Sequence, residues 1–447
     1  MNKSSEDNLL LDRVASLVEA SRKAGADASD AVAVRSSSRS VSVRLGKVEN
    51  TESAESDDIS LRVFVGQRVA SVSATASSDP GELAERAVAM ARVSPEDPFQ
   101  GLAPEERLAR EIADLDLLDT REVGADELRD TALAMEEAAL SVKGVTNSGS
   151  AGASAGSGGL VLATSSGFAG QYTASRFSRS VSVIAGEGTG MERDYEFSSR
   201  VHYEDLESAD EIGRKAGERT VKRLGSRKAE TGPVTVVFDP RVARGIAGHL
   251  AGAINGAAVA RKTSFLRDMM GKKVAASAIT ATDHPDRPRG SSSRPFDGEG
   301  ISGQPLVMVE GGILNHWFLS HSTAQELGLE TNGRGVRSGT AISPASTNFA
   351  IEPGDKSPDE MIGSLKSGFY VTEVFGQGVN MVTGEYSRGA SGFWIENGVI
   401  AWPVSEVTIA SNLKDMFLNM EAANDLDRNF GTAAPTLTIK GMTLAGN

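Results

Sequence analysis

Apolar and polar residues alternate along the chain with two periods, and turn residues divide them into three blocks. Near the start Leu10, Val14, Leu17 and Val18 fall at helical spacing. The stretches "AVAVRSS", "SVSVRLG", "ISLRVFVG" and "VASVSATA" alternate with period two and predict four strands, followed by a helix over "PGELAERAVAMARV". These elements predict an N-terminal α+β domain over residues 1–95, closed by the Pro-rich connection "SPEDPFQGLAPEE".

A helix over "ADELRDTALAMEEAALSV" opens a middle α+β domain, residues 120–226. A meander follows, with strands in "GLVLATS", "FAGQYTASR", "SRSVSVIAG" and "MERDYEFSSR" and turns at Ser166-Gly167 and Glu187-Gly188. The helix "ESADEIGRKAGERTVKRLG" closes it. The third block, 232–447, reads as a C-terminal mixed-sheet domain. The strand "GPVTVVFDP" feeds a small-residue helix, and "PLVMVEGGILNHWFL" and "GFWIENGVIAWPV" form hairpins about Gly-Gly and Asn-Gly turns. A helix over "SNLKDMFLNMEAAND" and a strand over "TLTIKGMTL" complete it. The fold class is α+β.

Composition narrows the chemistry. The 447 residues carry 60 acidic and 46 basic side chains, a formal charge of −14, with no run of five like charges. That balance argues against nucleic acid or an anionic membrane as partner, since both need clustered Lys and Arg. There are no cysteines, so disulfides, thiolate nucleophiles and Cys-ligated metals are excluded. The first twenty residues place acids before a short amphipathic stretch, unlike a signal peptide, and no apolar run is long enough to span a bilayer. A soluble, cytoplasmic protein is expected. The 48 glycines exceed the roughly 31 of average usage, and many fall in turns.

"GSAGASAGSGGL" is Gly-rich but lacks both a following Gly-Lys-Ser/Thr and the G-x-G-x-x-G order, so it reads as a flexible loop rather than a nucleotide site. Of the five histidines, His202 reads as a surface residue and His284 as part of a Pro-rich loop beside Asp283. His316 and His321, if on one strand, are an odd number of residues apart and point to opposite faces. His249 lies in "GHLAGAINGAAVARKTSF", residues 248–265, which reads as one helix. A zinc-peptidase helix needs two imidazoles on one side and a Glu to activate water. Here Leu250 follows His249, and neither Gly252 nor Ala253 has a ligand atom. Gly248, Gly252 and Gly256 recur every fourth residue, which predicts a smooth groove admitting another backbone. The stretch reads as a packing helix.

Several segments carry a family resemblance. "HLAGAINGAAVARKTSFL", "RPFDGEG", "GGILNHWFLSHSTAQELGL", "VTEVFGQGVNMVTGEYSRGASGFWIENGVIAWPVSEVTIASNLKDMF" and the Asn424-Asp425 pair resemble the TldD/PmbA peptidase family. They are most similar to its PmbA branch, also called TldE and labelled "modulator of DNA gyrase"; "EDPFQGLA" and the N-terminal strand pattern fit it too. The resemblance covers essentially the whole chain. It implies a two-subunit cytoplasmic peptidase, a heterodimer whose TldD-type subunit binds zinc through a His-Glu-x-x-x-His helix and a distal Cys, with the Glu as general base. Position by position, His249 matches the first His, Leu250 replaces the Glu, and Ile254 falls at the second His; the Cys has no counterpart. The resemblance therefore implies a degenerate motif, with no catalytic residue, metal or cofactor in this chain and zinc in the TldD-type partner. The implied substrates are unfolded or short peptides, including modified-peptide precursors and an antitoxin. A homodimer stays open to the isolated chain.

Two other readings remain. One is an autonomous metallopeptidase using His249 with His284 or an acid such as Asp297 or Glu299. The other is a non-proteolytic interaction protein of a toxin–antitoxin or gyrase pathway.

Overall fold

In chain order the computed structural model, which describes residues 3–339 and 341–447, begins with α1 (Lys3–Lys23), β1 (Ala28–Arg44), β2 (Lys47–Val65), β3 (Arg68–Thr75) and α2 (Pro80–Val93). Then come α3 (Ala125–Leu140), β4 (Val145–Thr164), β5 (Ala169–Ala185), β6 (Glu192–Arg200) and α4 (Ala209–Lys222). The six strands form one antiparallel sheet in the order β3-β2-β1-β4-β5-β6, so the sheet runs straight across the junction between the first two blocks.

Two cores form on the same face of that sheet. Ala31 and Ala33 of β1 meet Ile59, Leu61 and Val161 under α1 and α2. Val41 and Val43, further along the same strand, meet Ala151, Ala153, Val181 and Val183 under α3 and α4. Odd-numbered β1 residues thus face helices at both ends, as a period of two requires. Three sequence expectations change here. "FAGQYTASR" and "SRSVSVIAG" form one continuous strand, β5. "AVAVRSS" and "SVSVRLG" are one strand, β1, because the polar middle pairs with β2 and β4 on both sides: Ser36 lies opposite Ser56 and Gly158. The supposed loop "GSAGASAGSGGL" is the middle of β4. Its glycines let neighbouring strands close in; a Cβ on Gly156 would stand 2.7 Å from the Ser37 carbonyl oxygen.

The remaining elements are β7 (Gly232–Phe238), α5 (Pro240–Ala253), α6 (Gly256–Ala260), β8 (Ala281–His284), β9 (Leu306–Glu310), β10 (Ile313–Leu314), α7 (His321–Leu327), β11 (Gly335–Ser338) and β12 (Ala341–Pro344). They continue through β13 (Asn348–Ile351), α8 (Pro358–Gly363), β14 (Ser367–Phe375), β15 (Glu385–Glu396), β16 (Val399–Asn412), α9 (Leu413–Leu418), β17 (Met420–Ala422), β18 (Thr432–Ala433) and β19 (Leu437–Ala445). One sheet runs β16-β15-β14-β7-β19-β17, and a further pairing of β16 with β19 closes it on itself. A second runs β10-β9-β8-β13-β18. Helix α5 packs against β7 and β14 of the first and β13 and β18 of the second, within one large core.

Both hairpins form where expected; Asn397 and Gly398 each have positive φ (51° and 81°), the geometry of a tight two-residue turn. The helix expected over "SNLKDMFLNMEAAND" is shorter. After α9, Met420 and Ala422 bury alternate side chains and pair with β19 as strand β17.

Two buried charge clusters hold these layers together. Arg62 of β2 and Arg337 of β11 both pair with Asp30 of β1, joining the first sheet to the C-terminal region. Burial disfavours the Asp30 carboxylate, but Arg337 and Arg62 outweigh it and hold its pKa below the usual range. Arg334, fully buried, donates to Asp283 at 2.7 Å and to the carbonyls of Asn332 and Gln304. Arg334→Met should lower stability by about 3–5 kcal/mol, because it strands a buried carboxylate. Urea unfolding of the two proteins measures this, and a loss under about 1 kcal/mol would mean that Asp283 finds other compensation.

Candidate functional site

Helix α5 begins directly after β7. Asp239 caps it by accepting from the Arg241 N–H at 2.9 Å, and its other oxygen accepts from the Tyr370 hydroxyl at 2.7 Å. Pro240 occupies the first turn, where its missing N–H costs nothing. The apolar stripe is Val242, Ile246 and Leu250, continued by Ile254 at the helix end, all at four-residue steps. Leu250 and Ile254 are both 0% exposed. The two positions that a zinc helix would give to a base and a second imidazole therefore belong to the hydrophobic core.

His249 lies off that stripe, half-buried. Its ring meets Tyr386 of β15 edge-on, 6.0 Å between centroids, and it makes no hydrogen bond among the described residues. Burial, and then the Arg388 charge, pull the imidazole pKa below its ordinary value, so the ring is neutral at pH 7. Burial pushes Tyr386 up to about 12, and it keeps its proton. A zinc ion here would meet one imidazole, a phenol and a guanidinium. That donor set does not fit a metal that takes at least three protein ligands. Among the described residues no three His, Asp or Glu side chains gather as a metal-binding group.

The other histidines stand apart. His202 is buried, not at the surface; its Nε2 lies 2.9 Å from the Asp116 carbonyl oxygen. His284 ends β8 in a strand rather than a loop, and the neighbouring Asp283 is taken by Arg334. His316 and His321 are not on one strand, since β10 stops at Leu314; His316 is exposed and His321 opens α7, buried.

Asp297 and Glu299 form a separate buried pair. Asp297 accepts the N–H groups of Glu299, Ile301 and Gly335, and Glu299 accepts that of His321 at 2.8 Å. Burial raises the pKa of Asp297. Burial, and then the Asp297 charge, push Glu299 up to about 8, with Arg62 and Arg337 opposing. The pair is spent on backbone donors beside Asp30 and Arg337, not on His249.

The expected glycine groove is also different. The segment 248–265 is not one helix: α5 stops at Ala253, and Asn255 caps α6 by accepting from Ala257. A Cβ on Gly245 or Gly248 would meet nothing within 4 Å, and one on Gly252 only the Met381 methyl at 3.5 Å. Gly256 alone admits a backbone, that of Phe318, whose carbonyl oxygen would stand 2.6 Å from the new carbon. The α5 glycines form an open face beside His249. Sequence reasoning missed Tyr386 and Arg388; their i, i+2 spacing puts them on one strand face, but nothing local shows that β15 passes α5.

Comparisons with known proteins agree along the whole chain. Models of the PmbA/TldA metallopeptidase family match as domain 1 (residues 29–91), central domain (118–224) and C-terminal domain (231–446). Metalloprotease PmbA of Escherichia coli O157:H7 is 36% identical, the match covering 94% of this chain and 92% of that protein. The Metalloprotease PmbA homolog of Haemophilus influenzae is 34% identical, over 99% and 97%. Among solved structures, a putative modulator of DNA gyrase from Bacteroides thetaiotaomicron superposes with a TM-score of 0.89 at 28% identity, covering 98% of each chain. TldE from Thermococcus kodakarensis shares the fold, with a TM-score of 0.86 at 21% identity, over 97% of this chain and 100% of that one.

Opposite effects are expected at two glycines. Gly248→Ala should stabilise by about 0.5–1 kcal/mol, since alanine relieves helix entropy in open space. Gly256→Ala should cost about 1–3 kcal/mol through overpacking. Thermal unfolding reads both, and reversed signs would show that α5 is covered where it is described as open. For Glu299, a folded pKa above the unfolded value contributes stability that is complete below about 4.5 and lost as pH rises through about 8. Wild-type stability should therefore fall across that window relative to Glu299→Gln. A stability difference between the two proteins that is the same at both ends of the window, read by urea unfolding, would contradict the raised pKa.

Proposed function

Since the chain belongs to the PmbA/TldA metallopeptidase family, we propose that it is the non-catalytic subunit of a two-subunit zinc peptidase. Its partner is a TldD-type subunit that holds the zinc and the general base. The observation carrying this reading is the complete burial of Leu250 and Ile254 on α5. Activating a metal-bound water needs a metal, an open coordination position and a base within hydrogen-bond reach. A leucine buried in the same core as Val242, Ile246 and Ala253 supplies no proton acceptor.

What this chain contributes is shape. The open α5 face, with neutral His249, Tyr386 and Arg388 beside it, forms wall rather than machinery for a chamber shared with the partner. The substrates are unfolded or short peptides, modified-peptide precursors and an antitoxin among them, and the complex works in the cytoplasm. Among the described residues no helix is long and apolar enough to cross a membrane. With a charge of −14 and no basic stripe, the gyrase label carried by a structural relative reflects an indirect effect rather than DNA contact. Among the described residues no ligand set converges on His249, which disfavours an autonomous metallopeptidase. A purely interacting protein would share the degenerate helix but would confer no proteolysis on any partner.

Turnover of a denatured, fluorescently labelled protein separates these readings. The chain alone should leave it uncut, and a mixture with the TldD-type partner should degrade it. Within the mixture His249→Ala should lower kcat less than about tenfold, whereas Glu→Gln in the partner's motif should remove about 10²–10⁴. If His249→Ala proves equally damaging while assembly stays intact, this chain takes part in catalysis and the assignment fails.

A further inference from the structure

Three cavities follow one another along the seam between the middle and C-terminal regions. The first, about 240 Å³, is lined by Arg244 and Phe430 and also by the carboxylates of Glu196, Glu207, Asp239 and Asp427. The second, about 620 Å³, shares Phe430 and adds Arg287 and Arg428. The third, about 480 Å³, shares those two arginines, shares Arg200 and Glu207 with the first, and adds Arg289 and Asp205.

Most of the guanidiniums here are already paired. Arg200 holds Glu207 at 2.6 Å, Arg289 holds Asp116 at 2.6 Å together with Glu204 and Asp205, and Arg428 holds Glu352. Arg219 pairs with Glu196, and Arg241 with Asp194 at 2.9 Å. Arg244 and Arg287 differ: among the described residues neither has a carboxylate within ion-pair distance. Arg244 donates to the Arg241 carbonyl oxygen at 3.1 Å and stacks over Phe430 at 4.6 Å and Phe197 at 5.2 Å. Arg287 donates to the Arg428 carbonyl oxygen at 2.6 Å. Burial and the Arg428 charge pull its pKa below the ordinary value, while Asp427 and Glu352 offset part of that without pairing with it. Neither cation is far from negative charge, since Asp427 and Glu352 act on Arg287 and Asp427 also lines the cavity of Arg244. Both are nonetheless partly buried without a direct ion-pair partner among the described residues.

We propose that this seam binds an acidic peptide segment, with carboxylates on Arg244 and Arg287 and an apolar contact on Phe430. Both guanidiniums present planar forks that suit bidentate carboxylates, and Phe430 gives an extended chain a surface between them. That the carboxylates arrive on a peptide rests on the peptidase reading above; the lack of an ion-pair partner at the two guanidiniums does not. The ligand class is thus glutamate- or aspartate-rich peptide, held in the full chain without any cleavage step.

Fluorescence anisotropy of a fluorescein-labelled, acetylated and amidated hexaglutamate peptide tests this, with the hexaglutamine peptide beside it. The full-length protein should bind the glutamate peptide at low salt, more weakly at physiological salt, and the glutamine peptide not at all. Arg287→Gln and Arg244→Gln should each weaken binding by about tenfold, the loss expected for one charged hydrogen-bonding partner. Arg287→Lys should fall between, keeping the charge without the fork. No binding by the wild type, equal binding by the double Gln variant, or equal binding of the two peptides overturns the proposal. Binding is read without proteolysis, so its failure would leave the subunit assignment standing. The degradation assay can likewise fail while this one succeeds.

Discussion

Burial of one helical stripe constrains everything around the candidate site. Val242, Ile246, Leu250 and Ile254 step along α5 into a core shared by the closed sheet and its neighbour, so both sheets are positioned by the side chains that zinc chemistry would need free. Burying an aliphatic side chain of this size contributes about 1.5–3 kcal/mol, whereas burying an unpaired carboxylate there would cost several. The helix therefore serves as a packing element at these positions.

The charge clusters divide the remaining work. Arg334 with Asp283 ties β8 to the loop before β11, and Asp30 with Arg62 and Arg337 ties the long first sheet to β11. Asp297 and Glu299 sit beside that second cluster and are held by backbone N–H groups. Their raised pKa values have burial at this structural joint as their first cause. Arg244 and Arg287, which have no ion-pair partner among the described residues, lie elsewhere, along the seam where the middle and C-terminal regions meet.

Much of this was legible in the sequence, for identifiable reasons. Fold class, both hairpins and the absence of a base after His249 follow from local patterns: a period of two, turn residues needing positive φ, and a leucine where a glutamate would act. Long-range pairing was not legible. The polar middle of β1 looks like a break, yet it pairs on both sides, and the absence of Gly, Pro or Asn between Val34 and Val41 is the signal that it continues. The Gly-rich run of β4 looks like a loop because its purpose, close approach of β1 and β5, lies in other strands. The glycines of α5 misled in the opposite sense: regular spacing suggested a covered groove, whereas Gly245 and Gly248 face open space. His202 failed for a similar reason, its partner Asp116 lying far away in sequence.

The central claim is that α5 has become a core helix without metal chemistry, and zinc content tests it most directly. Native mass spectrometry of the purified full chain, after equilibration with zinc and dialysis against a weak chelator, counts metal per chain. The account predicts far less than one zinc, unchanged in His249→Ala. One tightly held zinc per chain, lost on that substitution, would contradict it.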